Sequence, residues 1–431
     1  MKRHKIGILT LAFTLISLGG ILLTKNFIDI NTSLLISILW PSIIIFFGFE
    51  IIITKLIINR KKDDIKVTVD SLSIILLFII IIGIVLSQGI SFFRVNMLNI
   101  FTNHRIFYSQ TSKYSFDYEY DPDGISKIDL NSSHGNIEIK KISGDKIRVN
   151  AEVKFNHNDY DYADEISDKI VVINKDVDGL YIRKQSKEYT YRSRNINGLK
   201  VSYIVEVPKD VDIGIVHGFG NISIENCAKE VDINSEHTDI SLIDIDGKVD
   251  IENSYGYVDV EKVRGVVKIY NRHGKIDIRE VNNDIIIENS HDRVNAEDIK
   301  GNVNITNSHD SIDVKNVTGD IDIDTKHSNI KIGGANQGIK ILNRHGDIIC
   351  DVESPIKKFI EIKNDYGNVN LTIPENQEGR FKAYVRYGNI NNEFEFNVDE
   401  NTNSQSLLQT IGEDNVTFDI DINHGNLYIN N

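Results

Sequence analysis

Val267-Lys-Ile-Tyr-Asn-Arg-His-Gly-Lys-Ile-Asp-Ile-Arg-Glu-Val-Asn-Asn-Asp284 is followed directly by Ile285-Ile-Ile-Glu-Asn-Ser-His-Asp-Arg-Val-Asn-Ala-Glu-Asp-Ile-Lys-Gly-Asn302, and the two lines superpose position by position. The same 18-residue period runs from Phe219 to Cys350. One column is isoleucine throughout: Ile233, Ile251, Ile269, Ile287, Ile305, Ile323 and Ile341. Two residues upstream stand Val231, Val249, Val267, Ile285, Val303, Ile321 and Ile339, with mostly polar residues between the two columns. That alternation is the signature of a strand with one face inward. The second half of each repeat has the same form, as in Ile276 with Ile278 and Ile312 with Val314, so each repeat holds two short strands.

A fifth apolar column (Cys227, Ile245, Val263, Val281, Ile299, Val317, Ala335) precedes a column of Gly247, Gly265, Asn283, Gly301 and Gly319. Gly and Asn tolerate left-handed backbone, which predicts a bend at that place in every repeat. Identical inward columns at a fixed period predict coils stacked in register, with parallel strands about 4.8 Å apart. The fold class expected is all-β, a parallel β-solenoid of two-strand coils. A lone coil leaves its apolar columns open to water, so the coils must stack and the ends must be capped.

The net charge of -14 divides unevenly. Residues 1–95 carry ten Lys and Arg against five Asp and Glu, and the remaining 38 against 57 make the rest net -19. Apolar runs at about 6–23, 34–53 and 72–90 each approach the ~20 residues of a bilayer-spanning helix. Lys2, Arg3 and Lys5 precede the first run, and Lys55, Arg60, Lys61, Lys62 and Lys66 lie between the second and third. The positive-inside rule then predicts three spans, a cytoplasmic N-terminus and an extracytoplasmic solenoid. A cleaved signal peptide competes for the first run, but no small-residue cleavage site follows it. Glu50, inside the second run, reads either as a functional intramembrane carboxyl or as a side chain near the cytoplasmic end, snorkelling or protonated.

Two resemblances follow from these residues. The first hairpin, with Gly19-Gly20 and the run Trp40-Pro41-Ser-Ile-Ile-Ile-Phe-Phe-Gly48-Phe-Glu50, resembles the transmembrane region of Lia-type membrane proteins of the bacterial cell-envelope stress response, over residues ~5–58. Residues ~125–431, with Ile-Glu-Ile or Ile-Asp-Ile strands after His-Gly or Tyr-Gly and the Val207-Pro208-Lys209 entry, resemble the bacterial β-strand-repeat family labelled "putative adhesin". That resemblance implies a fold and a surface location, and no activity.

The expected organisation is a membrane region (1–95), an aromatic-rich juxtamembrane connector (96–124), a first coil with a capping excursion (125–215), the regular solenoid (216–350), and irregular C-terminal coils forming the other cap (351–431). The excursion, about 155–203, includes the basic residues Lys184, Lys187, Arg192 and Arg194, and its alternation at 170–173 and 180–182 predicts a hairpin over the first coil.

Of twelve histidines, His237, His273, His291, His309, His327 and His345 share one column, with His134 and His424 equivalent in outlying coils. Histidine ligates metals and titrates near neutrality, so the column invites a metal- or pH-responsive sensor, with His273, His291, His309, His327 and His345 as candidate ligands. Against this, Phe219, Tyr255 and Tyr366 occupy the same column, which suits a flat ring stacked at a turn. Asp259, Asp277 and Asp313, and Asp320, Asp322 and Asp324 on the next strand, invite calcium or else form a solvated face. Cys227 and Cys350 lie in inward columns about seven coils apart, roughly 33 Å at parallel spacing, too far for a disulfide with each other. A strongly acidic ectodomain argues against nucleic acid. No phosphate loop, nucleophile elbow or zinc-finger spacing is present, and no coil of residues 219–350 breaks the repeat with a catalytic grouping. The expectation is a non-enzymatic membrane-anchored binding protein without cofactor or small-molecule substrate, its partners the bilayer and other membrane or envelope proteins. An adhesin or scaffold without a signalling role, and the histidine sensor, are the alternatives.

Overall fold

The structure, a computed structural model, describes residues 3–24, 41–54, 66–70, 73, 75–80, 110–157, 160–185 and 196–431. The chain forms two compact units, Met1–Phe107 and Tyr108–Asn431.

In the second unit the repeat becomes a ladder. Val249–Tyr255 pairs in parallel with Val267–His273, which pairs with Ile285–His291, then Val303–His309, Ile321–His327 and Gly338–His345. The second strands stack likewise from Val258–Val263 through Ile276–Val281, Val294–Ile299 and Ile312–Val317 to Ile330–Gly333 and Ile348–Asp351. Register is one repeat per rung, so Ile269 lies opposite both Ile251 and Ile287. The result is an all-β, nearly closed, parallel solenoid-like sheet. Ile251, Ile269, Ile287, Ile305, Ile323 and Ile341 are fully buried along its axis, because each coil covers the apolar columns of the next.

The bend differs from the expectation. Gly247, Gly265, Gly301 and Gly319 are not left-handed; they are glycine because coils nearly touch there, and a Cβ on Gly265 would sit 2.3 Å from the Gly247 carbonyl. The left-handed residues stand just before the fifth apolar column: Asn226, Asp244, Lys262, Glu280, Asp298 and Asn316, with φ between 54° and 59°.

Both ends depart from sequence order. At the N-terminal end, Lys127–His134 and Ile137–Lys141 pair directly with Val211–Glu225, so everything between is an insertion. Beyond that coil lie Gly179–Lys184 and Ile196–Val207, both parallel to it. Antiparallel strands then stop parallel growth: Val171–Lys175 on Gly179–Lys184, Ile147–His157 on Ile196–Val207, and Gln110–Tyr120 on Ile147–His157. The expected hairpin is present, but Gln110–Tyr120, read from sequence as connector, is a strand of the cap. Its Tyr114, Phe116, Tyr118 and Tyr120 alternate onto the core, and a helix, Tyr160–Ser167, buries Ala163 and Ile166 beside it. Lys187, Arg192 and Arg194 lie outside the described residues.

At the other end the last coil in sequence is not the last in space. Thr417–His424 sits between Phe359–Tyr366 and Gly379–Arg386, parallel to both. The terminal rung is Gly379–Arg386, closed by the antiparallel strands Ser404–Ile411 and Val398–Asn401. Phe381, Phe396 and Phe418 fill that end, with Phe381 and Phe418 stacked at 4.2 Å.

In the first unit, Ile8–Thr24, residues 41–54 and residues 75–80 are helical, and Arg3–Ile6 pairs in parallel with Lys66–Val69. Among the described residues no helix is long and apolar enough to cross a membrane. Residues 34–40 and 81–90 of the second and third apolar runs, and 96–109 of the connector, fall outside the described residues. Glu50 neither snorkels nor stands free. It is buried, and its carboxyl oxygens accept from the backbone amides of Gly7 (2.9 Å), Leu9 (3.4 Å) and Thr10 (3.0 Å) and from the Thr10 hydroxyl (2.5 Å). The exposed amides of a helix N-terminus favour such an acceptor.

Candidate functional site

The most regular lateral feature of the solenoid begins inside it. Two residues after the isoleucine column, the inward position is polar: His217, Ser235, Asn253, Asn271, Asn289, Asn307, Thr325, Asn343 and Asn364, all buried. The asparagine amides donate to carbonyls of the turn that follows and of the coil before. Asn289 Nδ2 reaches the carbonyls of His291 (2.8 Å), Asp292 (3.0 Å) and Gly274 (3.5 Å), and Asn307 Nδ2 reaches those of His309 (2.7 Å) and Asp292 (3.3 Å). His217 Nε2 meets the Gly135 carbonyl in the same way, at 3.0 Å. A buried ladder is tolerable only because these carbonyls need donors.

The ladder fixes the turn, and the turn presents the ring. Two residues beyond each ladder position, and beyond Ser132, Ile422 and Val385 in the end coils, the rings stack in spatial order: His134, Phe219, His237, Tyr255, His273, His291, His309, His327, His345, Tyr366, His424 and Tyr387. Neighbouring centroids are 4.6–5.1 Å apart. Their faces cover one another, so the ridge shows ring edges. The five candidate ligands His273 to His345 are brought into this one column, as neighbours rather than as a convergent set. Among the described residues no three His, Cys, Asp or Glu side chains gather as a metal site does. Burial, with Lys184 and Lys200 nearby, holds His134 below the usual histidine range.

The acidic columns are less uniform than the sequence suggests. Asp259 pairs with Arg279 (3.0 Å), Asp313 with Lys315 (3.2 Å) and Asp320 with Lys358 (2.9 Å). Asp277 is not part of a solvated face: it is buried, taking hydrogen bonds from Lys275 (2.7 Å), Tyr257 and Asn295. Burial alone would raise its pKa, but these donors outweigh it and hold the carboxyl below the usual range. A depressed carboxyl stabilises the fold above its unfolded pKa and loses that contribution as pH falls through the folded value. Asp277→Asn is therefore expected to lower stability at pH 7 and to flatten the loss of stability below about pH 4, measured by denaturant melts across pH; an unchanged acid limb would refute this.

Residues 125–430 match the family described as Toastrack DUF4097. The chain belongs to the Toastrack family. No curated protein matches it. Among solved structures, the Toastrack chain is similar to a "putative cell adhesion protein" from Clostridium sporogenes, at 12% identity over 74% of this chain and 99% of that one, with a TM-score of 0.19. A "putative adhesin" from Bacteroides fragilis matches at 12% identity over 74% and 98%, TM-score 0.22. A "putative lipid binding protein" from Parabacteroides distasonis matches at 10% over 73% and 96%, TM-score 0.26.

Within this Toastrack domain Cys227 and Cys350 are free and buried, and burial pushes both thiols up to about 12. A thiol so raised is almost wholly protonated at pH 8 and a poor nucleophile. Both cysteines are expected to react with an aromatic disulfide reagent only after unfolding; rapid labelling of the native protein would contradict their burial. What sequence reading missed is the polar ladder. Its signal was present, a polar residue at an inward position of the strict alternation, in the same place each period.

Proposed function

We propose that this chain is a non-enzymatic, membrane-anchored binding module of the bacterial cell envelope, with residues 1–95 in the membrane and the solenoid outside. The observation that carries the reading is the ridge of twelve stacked rings, which repeats a ring edge at every coil. A repeating surface suits a partner that is itself extended, and solenoids bind along their length. The adhesin wording attached to similar proteins agrees with such a role. Three apolar runs with basic flanks support a multi-pass anchor with a cytoplasmic N-terminus, and the likeness of residues ~5–58 to Lia-type proteins supports a part in envelope stress.

In-cell crosslinking of the full chain beside a version ending at Arg94 tests this. Recovery of envelope or membrane proteins by the full chain alone assigns binding to the solenoid. Recovery of the same signalling protein by both assigns it to the membrane region, and recovery of nothing specific by either refutes the reading.

A further inference from the structure

In the outward column beside the isoleucines, strand register aligns Tyr181, Asp129, Gly214, Asp232, Asp250 and Lys268. Gly214 alone among these six has no side chain. Its backbone does not demand glycine, since its φ is not positive, and an added Cβ would meet two flexible side chains, the Asp129 carboxyl at 2.3 Å from Oδ1 and Lys127 Cε at 3.8 Å. A cavity of about 590 Å³ lies over this place, lined by Gly214 with Tyr181, Arg183, Asp232 and the exposed Val216. That volume lies within the ~300–1,000 Å³ of small-molecule sites. In a repeat protein a local break in the pattern, without a structural reason, is where a site is expected.

The chemistry of the walls narrows the occupant. Lys127 is paired with Asp129 (3.0 Å) and Lys248 with Asp250 (2.7 Å). Arg183, Asp212, Glu230 and Asp232 make no ion pair and no side-chain hydrogen bond among the described residues. One planar donor, Arg183, and three carboxylate acceptors, Asp212, Glu230 and Asp232, are thus left over in one lining, with the Tyr181 ring on the strand of Arg183 and Val216 nearer Asp232. The lining holds five carboxylates against three cations, which disfavours an anion. Hydroxyl groups donate and accept at once, so one polyol engages the donor and the acceptors together.

We propose that this cavity is a binding subsite for a saccharide without acidic groups. Arg183 donates to ring or glycosidic oxygens, Asp232 accepts from hydroxyls, and Tyr181 and Val216 cover the apolar face of the sugar.

The test uses the full chain in lipid nanodiscs, with cellotriose, maltotriose and chitotriose as probes and trigalacturonate and trilysine as comparators, read by saturation-transfer NMR and calorimetry. At least one of the first three is expected to bind. Gly214→Lys, which installs the residue found at the aligned Lys268, is expected to weaken binding about tenfold or more with an unchanged melting temperature. Should that variant melt early, Arg183→Ala on the exposed rim is expected to give a similar loss. No binding of the three probes, tighter binding of either comparator, or undiminished affinity in the well-folded variants overturns the subsite. The crosslinking result stands apart from this, because partner binding along the ridge does not need the cavity.

Discussion

Gly274→Ala is expected to cost the solenoid about 2 to 6 kcal/mol, the sum of holding a non-glycine residue in a glycine-only backbone region and of forcing an atom into a closed contact. Gly274 follows His273 with φ 138°, and a Cβ there would lie 1.9 Å from the carbonyl oxygen of Gly256 in the coil before. The same pairing recurs at Gly256 and Gly346, with φ of 128° and 127° and backbone carbonyls 2.2 Å from the added atom. Two coils show the escape. Asp292 and Asp310 hold the equivalent place with φ of 83° and 74°, inside the left-handed region that Asp tolerates better than alanine. Gly274→Asp is thus expected to cost at least about 1 kcal/mol less than Gly274→Ala. Gly333→Ala, where nothing lies within 4 Å, should stay within about 0.5 kcal/mol of the parent. Denaturant melts rank the three, and equal stability of the Ala and Asp variants would show that the turn is not held as the stack requires.

The interior of the regular coils was legible from the sequence because parallel in-register stacking puts one residue type against itself, and selection for fit repeats the letter. Ile233 to Ile341 is that effect in its purest form, and the rings of His273 to His345 are its surface counterpart. Periodicity carries no information about spatial order once the chain leaves the stack. Thr417–His424 carries the same strand and ring signals as its neighbours, yet it inserts ahead of Gly379–Arg386. The hairpin of Gly379–Arg386 and Ser404–Ile411 covers the outer face of that rung and leaves only the inner side for the returning strand. The glycine column was misread for a related reason. Gly247 and Gly265 are needed for distance between coils, which sequence cannot distinguish from a need for left-handed backbone, and that need falls at Asp244 and Lys262, three residues earlier. Asp277 and its donors were hidden because Tyr257, Lys275 and Asn295 come from three successive coils, about 18 residues apart in the chain and adjacent in the sheet.

The ladder beneath the rings yields the second large effect. Asn307→Thr is expected to destabilise by about 1 to 3 kcal/mol, since its amide donates to the carbonyls of His309 and Asp292 and a hydroxyl cannot span both. One coil on, the native chain already uses threonine: Thr325 Oγ1 lies 2.6 Å from Ser328 Oγ, and both are buried. Ser328 occupies the place that Asp310 holds after His309. The pair is a different solution to the same turn, so threonine should work only when serine accompanies it. Asp310→Ser alone places serine at a φ of 74°, which aspartate tolerates better, and removes the bonds to Ser311, so it should itself cost about 0.5 to 2 kcal/mol. The double variant Asn307→Thr with Asp310→Ser should lose less than the two single losses added together, a coupling of about 0.5 to 2 kcal/mol in a double-mutant cycle. Strict additivity would mean that the Thr325–Ser328 bond contributes nothing to its turn, and that the asparagines are retained for the ladder along the axis rather than for the turns that carry the ring ridge.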